Sequence, residues 1–232
     1  MRNLWAGYEL LDFGEGRKLE RFGPWTLDRP CPAAQAAKGA PRAWREATAC
    51  FLGDRAADGE WSPAPDRWTT PTTSILIDLG AGRSFRLELE PLPSGQIGVF
   101  PEQLANWRWI AARVAAQGPP LNVLNLFAYT GGITLAAAAA GAAVVHVDAA
   151  RSVVARARQN AAASGLADRP IRWIAEDATK FCRREARRGN RYDAVILDPP
   201  TYGHGPQGDP WSIRRDLLPL LDLCGELTER RP

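Results

Sequence analysis

The stretch Leu121-Asn122-Val123-Leu124-Asn125-Leu126-Phe127-Ala128-Tyr129-Thr130-Gly131-Gly132 decides how the second half of the chain is read. Leu121–Phe127 is a short apolar run. A glycine-containing turn follows, and then an alanine-rich segment, Ile133–Ala140, that stops at Gly141. A buried strand, a tight turn and a helix open a βα unit. Glycine in the turn lets the backbone come close to a ligand, and the helix N-terminus offers N–H groups without intrahelical partners. A ligand-free strand-to-helix turn would have the same composition, so the turn alone assigns no site.

The pattern repeats downstream. Ala143–Val147 predicts a second strand stopping at Asp148, and a helix follows to Ser164, with Ser152 as its expected cap and Gly165 as its end. Ile171–Ala175 predicts a third strand stopping at Glu176-Asp177, then a helix carrying Phe181 and Cys182 that ends near Gly189. Tyr192–Leu197 predicts a fourth, buried strand running into Asp198-Pro199-Pro200, and Ile213–Cys224 one more helix. Upstream, Pro101 and Glu102 suit a helix start, with Leu104, Trp107, Ile110, Ala111 and Val114 at helical spacing. Successive βα units predict the α/β class, a Rossmann-like parallel sheet covered on both faces. Ligands of such sheets bind at the carboxyl ends of the strands.

The first half has another texture. Tyr8–Phe13 and Arg17–Phe22 flank Gly14-Glu15-Gly16, and Ser74–Leu79 and Ser84–Leu89 flank Gly80-Ala81-Gly82-Arg83; both are hairpin patterns. The expected organisation is a small, mostly antiparallel β domain over residues 1–94, a possible RNA contact, and a Rossmann-like domain over 95–232.

Composition excludes several classes. No apolar run approaches the ~20 residues of a membrane span, and the N-terminus lacks the apolar stretch of a signal peptide. Cys31, Cys50, Cys182 and Cys224 are far apart in sequence without a Cys-x-x-Cys pair, and His146 and His204 are the only histidines. Neither a metal site nor a disulfide framework is expected, and the cytoplasm is the expected compartment. Only Lys18, Lys38 and Lys180 are lysine among 29 basic residues. Arginine suits phosphate contacts, although a GC-rich genome, which also explains the many alanines, is the simpler account of the bias.

The acids at the strand ends carry the chemistry. Asp148 stands near the ~20-residue offset at which an acid binds ribose hydroxyls in nucleotide folds. Asp177 ends the third strand, where a carboxylate can accept the adenine amino group. Asp198-Pro199-Pro200-Thr201-Tyr202 is the most specific motif: two prolines remove two N–H donors and stiffen the chain, so that carbonyls and the Asp198 carboxylate form a fixed acceptor array. Tyr202 can stack on a nucleobase. Each acid has an ordinary use as a turn or capping residue, and their recurrence at successive strand ends favours an adenosine site.

Leu126–Gly132, Val147-Asp148, Glu176-Asp177 and Asp198–Tyr202 resemble the successive motifs of class I S-adenosylmethionine-dependent methyltransferases. The similarity points to the bacterial large-subunit ribosomal RNA methyltransferases that modify cytosine or guanine. The segment Gly98–Trp107 resembles the one preceding that family's first motif. The resemblance implies S-adenosylmethionine as cofactor, held by Gln103, Asn125, Phe127, Ala128, Thr130, Gly131, Asp148, Ala149, Asp177, Ala178 and Asp198. It implies a catalytic platform of Asp198, Pro199, Pro200 and Tyr202, no metal, and ribosomal RNA as substrate. Leu104 and Trp107 stand where the family usually carries arginines. Thr201 separates the prolines from Tyr202, as in the ribosomal RNA branch. The family's sheet has seven strands and four are recognised here, so a C-terminally truncated enzyme with Tyr192–Leu197 as an uncovered edge is the expectation.

Weaker candidates are the arginine face Arg183, Arg184, Arg187 and Arg188, and the tryptophans Trp5, Trp25, Trp44, Trp61 and Trp68, for which solvation and packing respectively are the simpler uses. His204 lies in a glycine-flanked loop. A nicotinamide-dependent oxidoreductase would use Asp148 too, but Gly-x-Gly-x-x-Gly is missing after the first strand. A non-catalytic cofactor-binding or RNA-binding remnant is the alternative from another class.

Overall fold

The computed structural model describes residues 7–53, 59–68, 73–117, 120–204 and 210–228. Trp5, Gly205 and the side chain of His204 lie outside this description. The chain divides into two compact units, Met1–Asp78 with Arg86–Glu102, and Leu79–Phe85 with Gln103–Pro232.

In the first unit, β1 (Tyr8–Gly14), β2 (Arg17–Phe22), β3 (Trp25–Pro30), β4 (Ala49–Leu52) and β5 (Glu60–Ser62) form one sheet in that order. All its pairings are antiparallel except β3 with β4. The β1–β2 hairpin closes through Glu15 and Gly16, both at positive φ (54° and 73°). That is the two-residue turn whose twist matches the flanking strands. The hairpin of β6 (Thr73–Gly80) and β7 (Arg83–Leu89) closes the same way through Ala81 and Gly82.

Tryptophans build this unit's core. Trp25, Trp68, Trp61 and Phe51 form a chain of edge-to-face contacts at 4.8, 5.5 and 5.2 Å, each worth about 0.5–1.5 kcal/mol beyond burial. Trp44 instead donates to Asp12 Oδ2 (2.7 Å) under the Lys38 ammonium. Fully buried Glu20 is satisfied by Arg29, Tyr8 and Lys18. Losing one partner of such a buried pair costs about 3–5 kcal/mol.

In the second unit, β8 (Asn122–Leu126), β9 (Ala143–Asp148), β10 (Ile171–Ala175) and β11 (Ala194–Leu197) form a parallel sheet in the order β10-β9-β8-β11. Helices α1 (Leu104–Ala115), α2 (Gly132–Ala139), α3 (Arg151–Ala163), α4 (Ala178–Arg188) and α5 (Ile213–Thr228) complete it. A 3-10 turn, Pro101–Gln103, leads into α1. All five apolar residues picked out by helical spacing in α1 are buried. Alternation along the strands sorts the core into two layers. Val123 and Val144 pack with Ile110, Val114, Ala137 and Ala138. Leu124, Leu126 and Val147 pack with Phe181, Cys182, Leu220 and Leu227.

Four details differ from expectation. Ser152 does not cap α3: Ala150 is the cap residue, and its N–H goes to Asp148 Oδ1 (3.0 Å). Tyr192 precedes β11 rather than opening it: its backbone N–H goes to Leu227 O on α5 (2.9 Å), and its hydroxyl to Glu185 (2.7 Å). β11 is half-buried rather than buried, while its pairing with β8 alone among the described residues is the edge position expected. Cys182 and Cys224, distant in sequence, hydrogen-bond thiol to thiol between α4 and α5.

Under the first βα turn lies a buried polar chain. Asn125 Nδ2 donates to Thr134 Oγ1 (2.9 Å), which meets His146 Nδ1 (2.9 Å). The imidazole packs on Trp173, and burial pushes its pKa down to about 3. The unfolded chain binds a proton near pH 6.5 that the folded chain refuses until about pH 3. Stability therefore falls as pH drops through that window, by up to about 1.4 kcal/mol per pH unit. His146→Gln is expected to remove one proton's worth of that slope in urea unfolding measured between those limits. Equal slopes in wild type and variant would show that His146 titrates normally.

Candidate active site

The turn after β8 is held in an unusual conformation. Phe127 and Tyr129 both adopt left-handed φ, 54° and 49°, which side-chain-bearing residues rarely do. Such strain persists where surrounding contacts over-determine it, commonly at ligand sites. Here Ala128 N–H goes to Val147 O (3.1 Å), Gly131 N–H to Ala128 O (3.1 Å), and buried Asn160 on α3 donates to Thr130 O (2.9 Å). Gly131 follows at φ 97° and α2 begins. A Cβ on Gly132 would lie 2.6 Å from the Trp107 ring. Trp107, buried against Phe85 at 5.5 Å, therefore serves as packing that seats α2.

Asp148 stands beside this turn at the end of β9. Its Oδ2 accepts from Tyr129 N–H (2.9 Å) and its Oδ1 from Ala150 N–H (3.0 Å). Burial pushes its carboxyl above the usual range, against the pull of N–H donors from Ala150, Tyr129 and Ala149. A carboxylate has about four acceptor positions, so each oxygen keeps capacity for a ligand hydroxyl. Asp177 caps α4, its Oδ1 accepting from Lys180 N–H (2.8 Å).

At the end of β11 the exposed Asp198 carboxylate accepts from Gln103 Nε2 (3.0 Å), and Gln103 Oε1 accepts from Asn106 (2.8 Å). One of the two acceptor positions of the Pro200 carbonyl is taken: Trp211 Nε1 donates to it at 2.8 Å. The Trp211 ring also packs against Phe127 at 5.0 Å. Trp211 belongs to β13 (Pro210–Ser212), which pairs antiparallel with β12 (Tyr202–His204) and places Tyr202 opposite Ser212. Tyr202 is exposed.

Gln103, Phe127, Asp148 and Asp198 thus gather around the carboxyl ends of β8, β9 and β11, with Asp177 at the end of β10. Asn125 and Ala178 are turned into the layers beneath, the first onto Thr134 and the second among Phe181 and its neighbours. The arginine face of α4 is partly engaged: Arg184 pairs with Glu176 and Arg188 with Glu185. Sequence reasoning missed Asn106, Asn160 and Trp211. An asparagine one helical turn after Gln103 was a signal for the first alone. No group of three or more His, Cys, Asp or Glu able to hold a metal occurs among the described residues.

A parallel α/β sheet with acids at the ends of β9, β10 and β11, beside a strained glycine turn after β8, defines a nucleotide-cofactor fold of the Rossmann-like class. Residues 69–226 match the family model described as S-adenosylmethionine-dependent methyltransferase, and the chain belongs to that family. It is 38% identical to a SAM-dependent methyltransferase from Agrobacterium tumefaciens whose crystal structure it matches with a TM-score of 0.89, over 98% of this chain and 70% of that one. A putative SAM-dependent methyltransferase from Streptococcus mutans shares the fold at 19% identity, with a TM-score of 0.74 over 99% of this chain and 60% of that one. Among curated relatives, Ribosomal RNA large subunit methyltransferase I of Aeromonas hydrophila is 31% identical over 134 residues, 57% of this chain and 32% of the relative. Ribosomal RNA large subunit methyltransferase K/L of Shewanella frigidimarina is 33% identical over 115 residues, 46% of this chain and 16% of the relative. The chain therefore spans a third or less of the length of these two curated relatives.

The packing of Trp107 on Gly132 makes a sharp prediction. Gly132→Ala should cost about 1–3 kcal/mol in denaturant unfolding, as overpacking does. Trp107→Leu in the same chain should return part of that cost. Strictly additive losses in the double-mutant cycle would show the two positions uncoupled.

Proposed function

We propose that this chain binds S-adenosylmethionine at the carboxyl edge of β8–β11 and forms the donor-binding part of an enzyme that methylates a nucleobase of ribosomal RNA in the cytoplasm. One observation carries the cofactor reading. The Asp148 carboxylate is fixed by two backbone amides beside a turn whose left-handed residues hold its peptide groups against the cleft. The residues suit the group. Asp148 would take the ribose hydroxyls, Asp177 Oδ2 the adenine amine, and the Phe127–Gly131 turn the methionine moiety. The names of the curated relatives support the substrate class, and Tyr202, exposed at the edge of the cleft, offers a ring on which a base can stack.

S-adenosylmethionine supplies a methyl group already activated on a sulfonium, so the protein's task is positioning. Gln103, oriented by Asn106, holds the Asp198 carboxylate, which would accept from the base and set its angle of approach. Trp211 takes one of the two acceptor positions of the Pro200 carbonyl, so the Asp198 carboxylate and the Pro199 carbonyl would be the principal acceptors of the platform. The prolines and the Trp211 bond keep this loop stiff.

Calorimetric titration tests the cofactor reading. Asp148→Ala should weaken S-adenosylmethionine binding roughly 30-fold or more, the worth of charge-assisted bonds of about 2–3 kcal/mol. Unchanged affinity would remove Asp148 from the site. Transfer of labelled methyl groups to large-subunit ribosomal RNA tests the substrate. Asp198→Asn should slow it about 100-fold, as misplacement of a reacting group does, with S-adenosylmethionine affinity changed far less. Label appearing in protein rather than RNA would overturn the substrate assignment.

A further inference from the structure

At the other end of the same strands, a cavity of about 520 Å³ opens between the starts of β8, β9 and β10 and the loop after α4. Strand β8 is five residues long, so roughly 15 Å separates this edge from the acids at the carboxyl edge. The size lies within the range of small-ligand sites. Val144 and Ile171 form an apolar wall, Tyr192 and Glu185 line the inner part, and Arg169, Arg172 and Arg191 complete the lining.

The charge is unbalanced. Glu185 is already satisfied by the Tyr192 hydroxyl (2.7 Å), Asn190 Nδ2 (2.7 Å) and Arg188 (3.5 Å). Burial works to raise its pKa, yet those hydrogen bonds and the Arg172 and Arg188 charges hold it below the usual value, so it stays ionised. Neither Arg169 nor Arg172 has a carboxylate within ion-pair distance among the described residues, and both are exposed. Like charges gathered around one concavity with apolar walls focus a positive potential, and guanidinium forks match phosphate oxygens. The apolar wall can take the face of a sugar or base.

We infer that this groove binds a phosphodiester segment of the RNA substrate, as a second contact apart from the methyl-transfer cleft. The inference rests on the RNA reading above. Fluorescence anisotropy with a labelled single-stranded RNA oligonucleotide, over a salt series, tests it. Arg169→Ala with Arg172→Ala should weaken binding about tenfold at low salt. The doubly substituted chain should also show a slope of log affinity against log salt reduced by roughly 1.4, about 0.7 per lost phosphate contact. Its S-adenosylmethionine affinity, measured by calorimetry, should be unchanged, which establishes that it is folded. If wild type binds the RNA and the variant matches it in affinity and slope, the groove inference alone falls. If wild type binds no RNA, the RNA reading falls and the inference with it. If inorganic phosphate or AMP occupies the groove without displacing RNA, the ligand is a free anion and the inference is overturned.

Discussion

One carboxylate ties the site together. Asp148 accepts N–H bonds from Tyr129, in the turn after β8, and from Ala150, at the start of α3. Two neighbouring βα connections therefore share an anchor, and the left-handed backbone at Phe127 and Tyr129 is affordable only because that anchor and the Asn160 bond to Thr130 hold it. The side chain expected to touch ribose also builds the surface on which ribose would lie. A substitution there removes a ligand contact and the frame in the same stroke.

Much of the second unit was legible because its elements are local. Strands of four to six residues, three of the four stopping at an acid and the first three followed directly by an amphipathic or alanine-rich helix, declare themselves by period and punctuation. The five buried positions of α1 follow directly from spacing. What spacing does not carry is contact across the fold. Trp107 marked a departure from the family's arginines, yet its packing beside Gly132 requires knowing that α1 lies on α2. The Cys182–Cys224 contact, the Asn125–Thr134–His146 chain and the occupied Pro200 carbonyl are of the same kind. The misplaced cap of α3 has a local cause: Ser152 inside the first turn looks like a cap, whereas the cap residue is Ala150, whose N–H goes to Asp148, two residues before Ala150.

In the first unit the balance is reversed. Its β1–β2 hairpin announced itself through Gly14-Glu15-Gly16, as did the β6–β7 turn, whose Gly80-Ala81-Gly82 falls in the second unit, because positive φ leaves a compositional trace. The parallel pairing of β3 with β4 and the edge-to-face run of Trp25, Trp68, Trp61 and Phe51 left none, since both join segments separated by loops of weak pattern. A tryptophan-rich stretch suits a base-stacking surface as well as the simpler use in packing, and Trp25, Trp61 and Trp68 do form a core.

Trp211 touches both halves of the cleft, its ring against Phe127 and its indole N–H on the Pro200 carbonyl. The loop proposed to face the methyl donor and the loop proposed to face the acceptor are consequently not independent bodies. Freedom that two separate loops would surrender on meeting their ligands is surrendered once, when the chain folds. A donor and an acceptor arriving at such a surface lose their own translational entropy but impose little further ordering on the protein. In the proposed reaction, part of the ordering would thus be supplied beforehand by an aromatic side chain that need not touch either reactant.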